Sequence, residues 1–143
     1  MKDNRPFCPY SFATAREFEN VIAWKESQSA NIDCSNAIDD IINNNFDGNR
    51  LAKDLPKEII AKYGKARVCF VIANTILLKK DDIRISKENK EWAGKLNYIF
   101  DENTRYDFEL SSHSGFVDMF ARQYRDGEKQ VEKKAKDRGR GDR

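Results

Sequence analysis

The chain has 143 residues, enough for one domain that buries most of its apolar surface without disulfides or metals. Hydrophobic residues make up 39% and charged residues 35% of the sequence, which indicates a well-solvated surface around a modest core. The formal net charge of +2 argues against two classes of protein, a uniformly basic nucleic-acid binder and a heavily acidic mimic of DNA.

Membrane segments and cysteines limit where the protein is expected to work. No stretch of about 18 apolar residues is present, so no segment is expected to span a bilayer. Residues 1–10 lack the apolar run of a signal peptide, and we therefore expect a cytoplasmic protein. The cysteines Cys8, Cys34 and Cys69 are odd in number and widely spaced, which favours reduced thiols or metal ligands over a disulfide framework.

Helical spacing dominates the first third of the chain. Between Phe12 and Phe46 the apolar residues recur at steps of three and four, as they do on one face of a helix. The polar segment 27–31 is either a break between two helices or the exposed part of one long helix. Residues 43–48, rich in Asn and ending in Gly48, predict a turn that ends this helical region.

The middle third holds a short helix and the only strongly apolar run. Asp54 can cap the short helix, Pro56 suits its first turn and Gly64 can close it. Residues 66–78 are nearly all apolar and could form either a buried strand or a buried helix. We favour the helix, because no second segment shows the alternation that a sheet partner would need.

Two further helices are predicted in the last third. Ser86 looks like the start of one, and residues 112–115 cap the other. Between them, residues 97–111 mix aromatic and charged side chains and predict an irregular arm or a short hairpin. Residues 122–143 carry nine basic and five acidic side chains and little apolar surface, too little to offset the entropy lost on ordering.

The predicted fold is therefore all-α. We expect a single compact helical domain of about five helices over residues 7–125, with the irregular arm near its end. Residues 126–143 are predicted to form a charged, loose and flexible C-terminal tail.

The three cysteines and the single histidine, His113, could together complete a tetrahedral Zn²⁺ site. No two of the cysteines form a C-x-x-C pair, so the ligands would have to converge from distant elements. Ordinary packing is the competing interpretation for Cys34 and Cys69, and helix capping is the competing one for His113. If a metal binds, the predicted ligands are Cys8, Cys34 and His113, with Cys69 or a carboxylate as the fourth.

Partner binding is predicted at the aromatic residues of the arm, although packing on the core is the more usual fate of such residues. Catalysis is not predicted. The chain has a single histidine to act as a base, and nothing in the sequence marks a nucleophile elbow. No Gly-rich phosphate loop is present either. The basic tail could contact nucleic acid only weakly and without specificity, since no aromatics are interleaved for base stacking. The predicted partner-binding residues are Tyr98, Phe100, Tyr106 and Phe108.

Six short segments, in order along the chain, carry a family resemblance. They are Pro9-Tyr-Ser-Phe12, Ala15-Arg-Glu17, Ala30-Asn-Ile-Asp-Cys34, Arg67-Val-Cys-Phe-Val-Ile-Ala-Asn-Thr75, Arg84-Ile-Ser-Lys-Glu-Asn-Lys-Glu-Trp-Ala93 and Ser112-His-Ser-Gly-Phe-Val-Asp-Met-Phe120. Together they look like the blocks of a bacterial domain family of unknown function, found in proteins of conjugative and other mobile elements of gram-positive gut bacteria. Cys34 and His113 fall on matching positions, whereas Cys8 stands where an aromatic residue is expected and Ser114 where proline is usual.

The resemblance carries no established activity, but it implies a context. Small proteins of mobile elements often act against host defences, and several inhibit CRISPR–Cas nucleases by binding them. We therefore expect an anti-CRISPR protein, not an enzyme, that binds a type II effector nuclease and blocks target DNA loading or activation.

Three other functions stay open. One is a DNA-associated accessory module of a conjugative element that uses the basic tail. Another is a structural-zinc interaction domain for a different partner. The third is a thiol- or metal-dependent enzyme.

Overall fold

Six helices and one minimal β-hairpin make up the part of the chain that the computed structural model describes, which is the backbone of residues 2–141 and the side chains of residues 2–129. In chain order the elements are α1 Phe12–Glu17, α2 Val21–Asn43, β1 Phe46–Asp47, β2 Arg50–Leu51, α3 Pro56–Tyr63, α4 Lys65–Leu78, α5 Lys87–Lys95 and α6 Ser114–Gly141. The all-α prediction is confirmed. None of the helices within residues 2–141 combines the length and the apolar composition of a membrane span.

Helix α4 is the centre of the hydrophobic core. Every residue from Arg67 to Ile76 is buried, so the helix is covered on all sides by the rest of the domain. Phe70 alone has four aromatic neighbours, with ring centroids 4.7–5.5 Å from those of Phe7, Tyr98, Phe100 and Phe108. The apolar run is therefore the buried helix that we favoured, and the strand alternative is wrong.

The break in the first helical region lies earlier than the polar segment 27–31. Helix α1 ends at Glu17, and Glu19 adopts a left-handed backbone conformation with φ of 55° before α2 begins. Ser27 and Asn31 lie inside α2 and are buried, at 1% and 2% exposure. The segment therefore belongs to one long helix, as the second alternative had it, but it is largely buried and not the exposed part of that helix.

These buried polar residues of α2 bind the guanidinium of Arg67, which is 3% exposed. Arg67 Nη1 donates to the carbonyl of Ser27 (2.9 Å) and to Asn31 Oδ1 (2.6 Å), while Nη2 donates to the carbonyl of Pro6 (2.7 Å). A buried cation is tolerated when polar groups surround it in this way. The contact joins α4, α2 and the N-terminal segment 2–10.

The predicted boundaries of α3 are nearly right. Pro56 is its first residue, and Gly64, with φ of 88°, separates it from α4. Asp54 does not cap the helix. It lies two residues before Pro56 with φ of 62°, and the N-cap position falls to Leu55, which makes no side-chain cap bond.

The turn predicted around Gly48 is the loop of the β1–β2 hairpin, which the sequence pattern did not predict. Asp47 pairs with Arg50 and Phe46 with Leu51, and Gly48 has φ of 60°. Only two residues pair on each strand, too few to show the alternation by which strands are recognised.

The remaining helix starts agree with the sequence. Ser86 caps α5, since its Oγ accepts from the backbone of Asn89 (3.3 Å). Helix α6 begins at Ser114 and continues through most of the predicted tail to Gly141. The side chains of residues 130–143 lie outside the described part, so the looseness of the tail stays a prediction.

Candidate functional site

The arm, residues 97–111, connects α5 to α6 without regular secondary structure. A structureless connection of this length is uncommon in a compact domain, and such connections are usually either functional loops or disordered linkers. The hairpin alternative for this segment is wrong, because no strand forms in it.

Side chains of two helices hold the arm in place. On α4, Asn74 Nδ2 donates to the carbonyl of Arg105 (2.6 Å), and the hydroxyl of Thr75 accepts from the backbone of Leu110 (2.9 Å). On α2, Gln28 Nε2 donates to the carbonyl of Thr104 (3.3 Å). The arm therefore covers the seam between these helices and is fixed along its length.

The end of the arm is anchored by one carboxylate of α2. Asp39 accepts four hydrogen bonds, two from backbone N–H groups and two from hydroxyls, all from Ser111 and Ser112 at 2.6–3.1 Å. Asp39 and Ser112 are both buried. This anchor fixes the chain where it leaves the arm and enters α6.

A second carboxylate organises the tip of the arm. Asp101 Oδ1 accepts from the backbone of Asn103 (3.0 Å), and Oδ2 accepts from the backbone of Phe12 at the start of α1 (2.9 Å). The carbonyl of Asp101 also accepts from Thr104 and Arg105. These consecutive turns fold the tip of the arm and tie it to α1.

The aromatic residues of the arm are divided between the core and the surface. Phe108 is buried, and Tyr98 and Phe100 are half-buried against Phe70. Only Tyr106, at 65% exposure, is open to a partner. Of the four predicted partner-binding residues, the structure therefore places three on the core.

The arm exposes further residues that the sequence did not single out. Ile99 is 66% exposed, and Glu102 and Asp107 are exposed carboxylates of the tip. We call Ile99, Glu102, Tyr106 and Asp107 the arm surface. A single aliphatic residue among aromatics carries no periodic signal, which is why sequence reasoning missed Ile99.

Arg105 lies inward beside this surface. Its guanidinium carbon lies 5.9 Å from the centroid of the Tyr106 ring, a cation–π contact. Arg105 Nε is buried and makes no hydrogen bond, as is also true of Oδ1 of Asn74, whose Nδ2 binds the carbonyl of Arg105. The arginine is thus partly withdrawn from solvent.

The predicted metal ligands do not assemble within the described residues, where no three His, Cys, Asp or Glu side chains lie close enough together to hold a metal ion. Cys8 packs in a small cluster with Ala15 and Trp24, whereas Cys34 and Cys69 belong to the main core. Burial raises the pKa of the Cys34 thiol to about 12 and also raises the pKa of Cys69. These thiols are therefore placed as packing groups.

His113 caps α6, as the competing interpretation proposed. Its Nδ1 accepts from the backbone of Gly115 (3.0 Å), and its Nε2 lies 3.2 Å from Arg84 Nη1. Asp82 holds that arginine and also accepts from the hydroxyl of Ser114 (2.7 Å). Hydrogen bonds from Arg84 and Ser114 hold the pKa of Asp82 well below its usual range, so this half-buried carboxylate serves as an ionised structural partner.

Two open grooves flank α3 and are weaker candidates for a binding site. A groove of about 600 Å³ runs between α2 and α3, and one of about 590 Å³ runs between α3 and α6. In the second groove Lys65 already pairs with Glu128 at 3.0 Å. The arm is the better candidate, because its exposed groups stand on a fixed backbone.

Comparison with known proteins gives one match. No curated protein and no solved structure matches the chain. A family model described as a protein of unknown function (DUF3849) matches residues 7–129, which include α1 to α5, the arm and the first half of α6. The chain therefore belongs to the DUF3849 family.

Proposed function

We propose that this domain works by binding a protein partner through the arm surface. The observation that carries the proposal is an exposed aromatic residue, Tyr106, on a 15-residue loop that side chains of α2 and α4 and the backbone N–H of Phe12 in α1 hold in place. Tyrosine is enriched among the residues that dominate binding energy. A loop fixed before binding loses little conformational entropy when the partner arrives.

The class of partner comes from the resemblance to mobile-element proteins. On that basis the first partner to test is a type II CRISPR effector nuclease, which this domain would inhibit stoichiometrically as an anti-CRISPR protein. Inhibition would follow if the bound domain blocked target DNA loading or the rearrangement that permits cleavage.

A cleavage assay with purified nuclease, guide RNA and target DNA tests this proposal. The intact protein in several-fold excess should abolish cleavage, and Tyr106→Ala should restore it. Phe18→Ala is a matched control, because Phe18 is 70% exposed at the end of α1 and should be dispensable. Unchanged cleavage with the intact protein would exclude this nuclease, and equal inhibition by Tyr106→Ala would exclude the arm.

A second candidate function uses the end of α6. The backbone is helical to Gly141. The sequence of residues 122–143 contains nine basic and five acidic residues. Such a segment could contact DNA phosphates as part of a conjugation accessory module. Deleting residues 130–143, which keeps Glu128 and its contacts, should abolish salt-sensitive DNA binding if this function is correct and leave nuclease inhibition intact if the first is.

A further inference from the structure

The arm carries a local negative charge that the whole-chain total conceals. Residues 97–111 contain four carboxylates and one arginine, in a chain whose net charge is +2. Two of the carboxylates are committed to the fold, since Asp101 accepts from two backbone N–H groups and Glu109 lies 3.6 Å from Lys79 Nζ. Of the four carboxylates, two are therefore left to contact a partner.

Glu102 and Asp107 are those remaining carboxylates. Both are exposed, and within residues 2–129 neither side chain forms an ion pair or a hydrogen bond. The only cation of the arm, Arg105, is half-buried beside Tyr106, with its Nε withdrawn from solvent. The arm surface consequently presents two free negative charges on the same short segment as an exposed aromatic ring and an exposed aliphatic side chain.

This combination selects among possible occupants. Nucleic acid and anionic lipid would be repelled by the two carboxylates. A purely apolar or acidic protein face would have to desolvate them without supplying a counter-charge, which is costly. A basic face offers that counter-charge, and the ring of Tyr106 can pack against the aliphatic stems or guanidinium planes of lysine and arginine.

We propose, resting on the proposed protein-binding function, that the occupant of the arm surface is a basic, nucleic-acid-binding face of the partner. The arm then competes with nucleic acid for that face. For an effector nuclease, this competition means that the domain prevents target DNA from loading rather than slowing a later step.

The decisive variant reverses the charge of the arm surface, Glu102→Lys with Asp107→Lys. Glu17→Lys with Glu26→Lys is the matched control, because both residues are exposed on α1 and α2 and the change in net charge is identical. Neither control carboxylate forms an ion pair within the described residues.

The first measurement uses a fluorescent oligolysine peptide as a cationic probe, with anisotropy recorded over a salt series. The arm reversal should weaken binding by about tenfold and reduce its salt dependence, whereas the control pair should change affinity by less than about twofold. Equal losses of affinity for the two double variants would overturn the proposal. It would also be overturned if the intact protein bound single-stranded DNA and the arm reversal abolished that binding.

The second measurement uses the nuclease with guide RNA, before and after loading of target DNA. The intact protein should bind the unloaded complex and be excluded from the loaded one. Equal binding to both, or inhibition that survives the arm reversal, would overturn competition at a basic face while leaving nuclease inhibition standing. Arm-dependent binding of the cationic probe without any nuclease binding would support the basic-face proposal and refute the choice of nuclease.

Discussion

Replacing Thr75 with valine tests whether α4 positions the arm through a single buried hydrogen bond. The hydroxyl of Thr75 accepts from the backbone of Leu110 at 2.9 Å and donates to the carbonyl of Val71 at 3.1 Å. Thr75 is 0% exposed and Leu110 is 1% exposed, so water cannot replace the lost acceptor. Valine has nearly the same shape as threonine, and the substitution therefore removes the bond without opening a cavity.

The size of the effect follows from which groups lose a partner. The carbonyl of Val71 keeps the ordinary helical bond from the backbone of residue 75, whereas the N–H of Leu110 is left buried and unpaired. An orphaned buried donor costs about 1–3 kcal/mol, and we expect Thr75→Val to lower the free energy of unfolding by about 2 kcal/mol. Thr75→Ser keeps the hydroxyl and removes one methyl group, which should cost about 1 kcal/mol.

Urea denaturation of both variants measures these free energies, and amide hydrogen exchange locates the change. In Thr75→Val the amide of Leu110 should exchange faster than in the intact protein, while the amide of Ser112 stays protected by Asp39. If Thr75→Val destabilises no more than Thr75→Ser and the amide of Leu110 stays protected, then this bond does not position the arm.

Three other predictions address the framework around the arm. Arg67→Met should lower the free energy of unfolding by about 3 kcal/mol, because it leaves Asn31 Oδ1 and the carbonyl of Pro6 without their donor, and should make residues 2–10 cleavable in limited proteolysis. Asp39→Ala should cost about 3 kcal/mol in urea denaturation, since the buried N–H and hydroxyl of Ser112 lose their acceptor, and Asp39→Asn should cost about half as much. The raised pKa of Cys34 means that the folded state favours the neutral thiol. The contribution of this thiol to stability should therefore be complete below about pH 9 and be lost as the pH rises towards 12. The free energy of unfolding of Cys34→Ala should fall less than that of the intact protein over this range.

Local chemistry explains the parts of the fold that the sequence predicted. Ser86 was recognisable as a helix start because an N-cap depends only on its own helix, and Gly64 because a positive φ favours glycine wherever it occurs. The apolar run 66–78 could be assigned to a buried helix from its length and from the lack of a sheet partner. None of these inferences needed knowledge of distant contacts.

Distant contacts decide what the sequence could not predict. Ser27 and Asn31 looked solvent-exposed because their partner, Arg67, is 40 and 36 residues away along the chain. Tyr106 and Phe108 are only two residues apart, yet one is exposed and the other stacks on Phe70. Net charge likewise sums the whole chain, and it cannot show that most of the arm's outward charge is negative.

The segments that carry the family resemblance account for the position of the arm rather than for its surface. Asn74 and Thr75, at the end of one block, bind the arm directly. Ser112, at the start of another, is held by Asp39 where the arm ends. Tyr106 lies between these blocks, as do the other residues of the arm surface. The blocks thus encode a frame that holds a loop at a fixed place, and the proposed choice of partner would rest on the residues that the frame presents.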